Sequence, residues 1–216
     1  MLSSVPCLKP WDCKYGEQFD VLTEGWILLQ LIFAGRIISA HFGTPCKSLT
    51  WARWPQLRDW DHPLGLPGLG PSARTLVDTG NDLLAFTWQC CMALLSMHAY
   101  FSVENPERSW LWYIGNFLDL SEQKGVAMTR FLFRNFGVPF YKPTLVLHNT
   151  PTLHLLRVPV LPWPGDTIPL RGRVWWNGQS AFRTQVAEAY PPALGARYGQ
   201  LMAQALELRS EALALD

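Results

Sequence analysis

The sequence predicts an α/β fold in which a parallel sheet is covered by helices. Short apolar segments of strand length alternate with longer segments whose apolar residues are dense enough for buried helices. Of the 216 residues, 49% are hydrophobic and 16% are charged, a balance that lets the chain bury a core. This length indicates one domain, with room for a small appendage.

The predicted strands and helices follow one another along the first two thirds of the chain. Strands are predicted at residues 19–22, 37–42, 99–103 and 145–147, and helices at residues 25–34 and from Asn81 onward. Gly35 is expected to end the first helix, because glycine readily adopts the left-handed conformation found there. Residues 51–71 are rich in Pro and Trp and lack a regular pattern, which predicts a functional loop or lid.

The composition along the chain predicts three segments. Residues 1–147 form the α/β core, residues 148–192 form an insertion rich in Arg, Trp and Pro, and residues 193–216 form a C-terminal helix. The insertion is either mostly irregular or a small strand-rich subdomain. Residues 197–215 are rich in Ala, Leu, Gln and Glu and keep a continuous helical period.

Charge and cysteine content limit the classes of partner and compartment. Eighteen Lys and Arg against 17 Asp and Glu give a net charge of +1, so any attraction to nucleic acid must be local. The five cysteines show no zinc-finger or disulfide pattern, and residues 1–10 show no secretory signal. An intracellular location, in nucleus or cytoplasm, is therefore expected.

One uncharged stretch, residues 83–103, has the length of a membrane span. It contains Gln89, Ser96 and His98, which are costly in lipid. The pattern therefore favours a buried helix followed by a strand, and no membrane partner is expected.

The candidate chemistry begins at Cys46, which directly follows the predicted strand at residues 37–42. In open parallel sheets, ligands bind beyond the carboxyl ends of the strands. A thiol there, beside a turn that exposes backbone N–H groups, can be partly ionised and nucleophilic. Glu104, at the end of the next strand, is placed to protonate or polarise a substrate ring. The alternative is that Cys46 is a small buried apolar residue.

The order of these motifs is similar to that of the cytosine-5 DNA methyltransferases. Gly-x-Pro-Cys ends one strand at Cys46, Glu-Asn ends another at Glu104, and Phe-Gly-Val-Pro follows at residues 136–139. The resemblance implies a Rossmann-like methyltransferase fold with an incomplete parallel sheet, flanking helices and a small irregular or β insertion. It also implies DNA as partner and S-adenosylmethionine as cofactor.

The resemblance implies a role for each residue of the central motifs. Cys46 attacks ring carbon 6 of a cytosine extruded from the duplex, and Glu104 contacts ring nitrogen 3. Pro45 belongs to the substrate site, and Asn105 shapes the turn that presents Glu104.

The cofactor motifs match less completely. The resemblance assigns Asp20 to the adenine and Asp12 to the ribose of S-adenosylmethionine, while both acids are also typical caps of helices and turns. The family opens with a glycine-rich turn that approaches the cofactor closely, and nothing before Asp12 offers that sequence. A truncated or decayed copy, such as a mobile-element remnant, fits this pattern.

The DNA-binding motifs also depart from the family. Where the family has Gln-x-Arg-x-Arg, this chain has Phe140, Lys142 and Thr144, and only Lys142 keeps a positive charge without the planar fork of Arg. Arg171 and Arg173 lie in the segment where the family places its DNA-reading domain, and they are expected to contact phosphates. Alternatively, the nearby tryptophans pack a subdomain and the arginines are solvated.

Three functions follow from these observations. The first is a divergent S-adenosylmethionine-dependent DNA cytosine-5 methyltransferase-like protein, with weak or no methyl transfer by the chain itself and with RNA as an open alternative to DNA. The second is a non-catalytic DNA-binding or assembly module derived from the same fold. The third, a thiol hydrolase, needs a histidine beside Cys46, and His41 and His62 are the nearest in sequence.

Overall fold

The computed structural model describes residues 6–159, 168–176 and 178–213 and shows a mixed α/β protein. The chain divides into two compact units. The first comprises Met1–Met128 and Val146–Thr150, and the second comprises Thr129–Leu145 and Pro151–Asp216. The three segments predicted from composition stay a prediction.

Five α-helices and six strands lie within the described residues. The helices are Val21–Phe33 (α1), Pro71–Ser96 (α2), Gly115–Ser121 (α3), Arg183–Val186 (α4) and Pro192–Leu213 (α5). The strands are Ser39–Gly43 (β1), Tyr100–Pro106 (β2), Ala127–Leu132 (β3), Pro143–His148 (β4), Arg173–Trp176 (β5) and Gln179–Phe182 (β6).

Four strands form one sheet in the order β1-β2-β4-β3. β1 and β2 are parallel. β4 runs the other way, because Asn149 just beyond its end bonds the backbone of Phe101 near the start of β2, accepting from its N–H at 2.7 Å. The sheet is therefore mixed, and the predicted parallel arrangement holds for β1 and β2 but not for β4. Only ten residues join β3 to β4, fewer than a parallel crossover requires.

The N-terminal region departs from its predicted strand. Residues 19–22 do not form a strand, because Glu17–Phe19 forms a 3-10 turn and α1 begins at Val21. Asp20 is the N-cap of α1, and its carboxylate accepts a hydrogen bond from the Leu22 N–H at 2.9 Å. An Asp in this position satisfies a backbone donor that a helix start leaves unpaired, which favours helix over strand.

Several other predicted elements are confirmed. The helix at residues 25–34 is α1, and Gly35 follows it with a φ of 67°. The strands at residues 37–42, 99–103 and 145–147 correspond to β1, β2 and β4, and the C-terminal helix is α5. The stretch from Trp51 to Gly70 contains no helix or strand. Sequence patterns missed β3 and α3.

α2 begins at Pro71, ten residues before the predicted helix. Proline suits the first position of a helix because its φ is already helical and no N–H is needed there. The segment at residues 148–192 contains the antiparallel hairpin of β5 and β6, which supports the strand-rich alternative. Within the described residues, no helix is both long enough and apolar enough to cross a membrane.

The core of the first unit forms around α2 and β2. Val77, Leu84 and Leu94 of α2 are buried, as are Phe101 and Val103 of β2. Their burial removes apolar surface from water, which favours the folded state.

Cys90 and Cys91 of α2 belong to the same core, with 1% and 0% of their surface exposed. Burial raises the pKa of the Cys90 thiol to about 12. Burial, followed by the neighbouring Cys90, raises the pKa of Cys91 well above its ordinary value. Both thiols are therefore protonated and unreactive at neutral pH in the folded protein.

Replacing Cys90 with Ala is expected to flatten the loss of stability at alkaline pH. The unfolded chain loses this proton near pH 9.0, whereas the folded protein keeps it until about pH 12. The contribution of the Cys90 thiol to the free energy of unfolding is therefore complete below about pH 9. Above that pH it declines, by up to about 1.4 kcal/mol per pH unit. Urea unfolding at several pH values between about 8.5 and 10.5 measures this slope.

Cys13→Ala is the matched control for this experiment, because Cys13 is exposed. The control is expected to keep the slope of the unaltered protein. An equally steep slope in Cys90→Ala and in the unaltered protein contradicts the prediction.

Candidate active site

The candidate site lies at the carboxyl ends of β1 and β2. The register of this parallel pair places Gly43 opposite Glu104. Cys46 follows three residues after Gly43. Glu104 lies two residues before the end of β2, with 8% of its surface exposed. The structure therefore brings the segments that carry Cys46 and Glu104 to the same end of two adjacent strands.

A hydrogen bond joins the two segments directly. The Asn105 side chain is fully buried, and its Nδ2 donates to the backbone oxygen of Thr44 at 2.7 Å. The hydroxyl of Thr44 lies 3.3 Å from the hydroxyl of Thr87 on α2. The turn that leads to Cys46 is thus fixed both to the end of β2 and to α2.

Cys46 begins a single helical turn. Its backbone oxygen accepts from the N–H groups of Leu49 and Thr50, each at 2.9 Å. Cys46 is half-buried and Pro45 is exposed, whereas Cys90 and Cys91 are enclosed in the core. Cys46 is therefore less enclosed than the two core cysteines.

Arg58 fixes the loop that follows Cys46. Its guanidinium, 1% exposed, donates to the Ser48 backbone oxygen at 3.0 Å and to the Ser48 hydroxyl at 3.1 Å. It also donates to Asn81 Oδ1 at 2.8 Å and to the backbone oxygens of Pro63 and Val77 at 2.7 and 3.3 Å. The planar fork of Arg supplies these donors in one fixed arrangement.

The contact of Ser48 and Arg58 with α2 requires a residue without a side chain on that helix, and this residue is Gly80. A Cβ added at Gly80 would lie 2.5 Å from the Ser48 hydroxyl and 3.3 Å from Arg58 Nη2. Burial lowers the pKa of Arg58 to about 10, which still leaves the side chain charged at neutral pH. The sequence analysis did not single out Arg58, and the only sequence signal was an Arg within an otherwise Pro- and Trp-rich loop.

An aromatic cluster adjoins the same loop, formed by Trp51, Trp60, Trp110 and Tyr113. The Trp51 and Tyr113 rings are stacked with centroids 5.8 Å apart, and the Trp60 and Tyr113 rings meet edge to face at 4.8 Å. Trp60 is 64% exposed. A backbone hydrogen bond joins the segments after β1 and β2 beside this cluster. The backbone N–H of Trp110 donates to the backbone oxygen of Leu49 at 2.9 Å.

The two acids assigned to the cofactor have local partners. The Asp12 carboxylate accepts from the Lys14 N–H at 3.0 Å and pairs with Lys14 Nζ at 2.8 Å, and the hydrogen bonds from Lys14 lower the pKa of Asp12. Asp20 caps α1. Neither acid follows a strand in the described residues, so they do not fit the S-adenosylmethionine site that the resemblance assigns to them.

The basic residues assigned to DNA lie in the second unit. Lys142 is half-buried, donates from Nζ to the Ala187 oxygen at 3.0 Å, and lies over the Phe133 ring at 3.9 Å. Arg173 donates to the Ser180 hydroxyl and backbone oxygen, each at 2.8 Å. Arg171 is exposed beside the hairpin of β5 and β6. Arg171 and Arg173 are both exposed, whereas Lys142 is half-buried.

The two histidines named for a thiol hydrolase have other neighbours. His41 Nδ1 lies 2.8 Å from the Ser102 hydroxyl, and His62 pairs with Asp59 at 2.9 Å. Among the described residues, no three His, Cys, Asp or Glu side chains group closely enough to hold a metal ion.

The chain matches no family model, no curated protein and no solved structure. The function proposed for this site therefore depends on the geometry of the chain's own residues.

Replacing Arg58 is expected to destabilise the fold more than any exposed arginine does. Arg58→Ala leaves buried acceptors on Ser48 and Asn81 without their donor, and the free energy of unfolding falls by about 3 kcal/mol or more. Arg58→Lys keeps the charge but lacks the fork, so an intermediate loss is expected. Urea unfolding of the unaltered protein, Arg58→Ala and Arg58→Lys measures the three free energies of unfolding.

The matched control is Arg36→Ala, because Arg36 is exposed. Its effect is expected to stay within about 0.5 kcal/mol. If Arg58→Lys is as stable as Arg36→Ala, the Arg58 contacts do not hold this loop.

Proposed function

We propose that this chain is a divergent cytosine-5 DNA methyltransferase-like protein of Rossmann-like ancestry, in which Cys46 adds to ring carbon 6 of an extruded cytosine. The observation that carries the proposal is the register of β1 and β2, which pairs Gly43 with Glu104. A thiol-bearing turn and a buried carboxyl group follow from it at one sheet edge, where α/β folds bind their ligands.

Each residue has a defined role in the proposed addition. The Cys46 sulfur forms a bond to ring carbon 6. The protonated Glu104 carboxyl group donates to ring nitrogen 3, which withdraws electron density from carbon 6 and accommodates the electrons of the broken ring double bond. Ring carbon 5 then becomes nucleophilic. Asn105 is a positioning residue, since it acts on the Thr44 turn and not on the base.

Without a methyl donor, the adduct takes a proton from water at carbon 5. Loss of the original hydrogen from carbon 5 as a proton, followed by departure of the Cys46 thiolate, regenerates cytosine. The net result is an exchange of the carbon 5 hydrogen with solvent. This exchange depends only on residues that the chain supplies.

S-adenosylmethionine would supply a methyl group only if the chain held it. Because Asp12 and Asp20 do not fit its site, methyl transfer by the chain alone is expected to be weak or absent. Detection of methylated cytosine in DNA after incubation with the cofactor, with its loss in Cys46→Ala, would overturn that expectation.

Release of tritium from cytosine labelled at carbon 5 tests the proposed addition. Single-stranded DNA is the first substrate, because an unpaired base needs no extrusion, and single-stranded RNA is compared with it. Cys46→Ala is expected to abolish release, and Glu104→Gln to reduce it by at least about a hundredfold, the range of a general acid.

Cys13→Ala is the control and is expected to keep full release, since Cys13 is exposed and belongs to neither β1 nor β2. Absence of tritium release from both nucleic acids, or equal release by Cys46→Ala, refutes addition through Cys46.

A second function, a non-catalytic DNA-binding module, is favoured by the hairpin of β5 and β6. Arg171 and Arg173 are exposed there beside Trp175, which is 74% exposed, and Phe182, which is 50% exposed. The guanidinium of Arg173 lies 4.4 Å from the centre of the Phe182 ring. Cations next to exposed aromatic rings suit contacts with phosphates and stacked bases.

Arg171→Ala is the clean test of this module, because Arg173 also bonds Ser180 across the hairpin. Binding to a labelled duplex is expected to weaken with salt, and Arg171→Ala is expected to lower the salt slope by about one. Cys46→Ala serves as the control and keeps full binding. Fluorescence anisotropy measures the affinity and its salt dependence for each variant. Unchanged affinity in Arg171→Ala excludes this function.

A further inference from the structure

Two rings of the aromatic cluster lie at the surface of the protein. Trp60 is 64% exposed and Tyr113 is 40% exposed, whereas Trp110 is 6% exposed and Trp51 is half-buried. Aromatic side chains that serve packing alone bury most of their large apolar area. Trp51 and Trp110 therefore pack the loop, while Trp60 and Tyr113 keep ring surface that a ligand can contact.

The two exposed rings are held in one arrangement. Each of the four rings has its centroid within 6.2 Å of the other three. The Trp60 and Tyr113 rings meet at an interplanar angle of 76°. We call these two residues the aromatic corner. Because rigid aromatic side chains lose little conformational freedom on binding, the corner is preorganised for a flat ligand.

Backbone contacts hold the aromatic cluster beside the candidate site. Thr50 and Ser109 form an antiparallel bridge, and the Trp51 N–H donates to the Arg108 oxygen at 3.1 Å. Thr50 in turn bonds the Cys46 oxygen. The four residues from Cys46 to Thr50 rise by about 6 Å in a helical turn. Two stacked nucleotides take up a similar length, at about 3.4 Å each.

The hydrogen-bonding groups of the cluster suit a ligand that brings acceptors. Trp51 Nε1 and Trp110 Nε1 are enclosed and have no acceptor among the described residues. A buried indole N–H usually has a partner, so the cluster by itself is incomplete on its donor side. Nucleotides carry oxygen acceptors on bases and phosphates. Such a ligand complements the cluster better than a cation does.

The charges around the corner favour contact with bases over contact with phosphates. Apart from the buried Arg58, residues 47–62 and 107–113 carry three basic and three acidic side chains. These segments therefore have no net charge to attract a phosphate backbone. Stacking of bases on aromatic rings needs no such charge, and it depends less on salt than phosphate contacts do.

We propose that the aromatic corner stacks the bases next to the target cytosine, so that the substrate is a single-stranded nucleic acid. The inference rests on the proposed function, which places the cytosine at Cys46, and it names the class of strand that reaches that site. Every base has a ring face, so this stacking requires no particular sequence. Bases within a duplex are already stacked on their neighbours and do not offer that face.

Binding of a labelled oligothymidylate of about twelve nucleotides tests the proposal. This strand contains no cytosine, so its binding does not depend on the reaction at Cys46. Trp60→Leu and Tyr113→Leu each keep an apolar side chain but lose a ring, and each is expected to raise Kd by at least about fivefold, the loss of one stacked base. Trp60→Phe keeps a ring and is expected to stay within about twofold. Fluorescence anisotropy measures Kd, and urea unfolding checks that each variant is folded.

Trp26→Leu is the matched control, because Trp26 is 55% exposed but lies on α1, outside the aromatic cluster. It is expected to bind as the unaltered chain does. The salt dependence of binding is expected to be unchanged in Trp60→Leu, whereas a lost phosphate contact lowers it. Duplex binding is also expected to be equal in Trp60→Leu and the unaltered chain.

Three results overturn the proposal. They are no binding of oligothymidylate by the unaltered chain, equal Kd values in Trp60→Leu, Tyr113→Leu and Trp26→Leu, and a salt slope that falls in Trp60→Leu. The catalytic proposal fails separately. Ring-dependent binding without tritium release refutes addition through Cys46 and supports the stacking surface. Tritium release together with ring-independent binding refutes the stacking surface alone.

Discussion

The parallel pairing of β1 with β2 is the constraint on which the candidate site depends. Because parallel strands end at the same edge, the pairing brings the Cys46 turn and Glu104 together although they lie 58 positions apart in the sequence. A register slip by one residue would turn each side chain of β1 to the opposite face. The bond from Asn105 to the Thr44 oxygen holds the register at the point where it matters.

The loop beyond Cys46 depends on a buried cation. Burying a guanidinium is costly unless its donors are satisfied, and Arg58 meets five acceptors, none of them a carboxylate. The same contacts restrain a Pro- and Trp-rich stretch that has no helix or strand. Gly80 admits Ser48 and Arg58 against α2, so the backbone of α2 sets the shape of the loop.

Local patterns predicted much of the first unit. Apolar runs ended by glycine or polar residues indicated α1, β1 and β2, and the resulting order placed Cys46 and Glu104 at strand ends. The predicted strand at residues 19–22 was wrong because the Asp20 cap favours a helix start over an apolar strand pattern. The direction of β4 was not predicted because β3, from which only ten residues lead to β4, was missed.

Contacts between distant residues were beyond the sequence patterns. Arg58 reaches Ser48, Val77 and Asn81, which lie 10, 19 and 23 residues away without periodicity. The aromatic cluster likewise joins Trp51 and Trp60 to Trp110 and Tyr113 from another segment. The apolar character of α1 was evident from the sequence, but only the structure shows that one side of it is uncovered.

A crystal structure of the chain with a cytosine oligonucleotide tests the central claim most directly. The account predicts the cytosine at the carboxyl ends of β1 and β2, with the Cys46 sulfur about 3 to 3.5 Å from ring carbon 6 and the Glu104 carboxyl group within hydrogen-bonding distance of ring nitrogen 3. A cytosine bound elsewhere, or a Cys46 sulfur directed away from the ring, would contradict it.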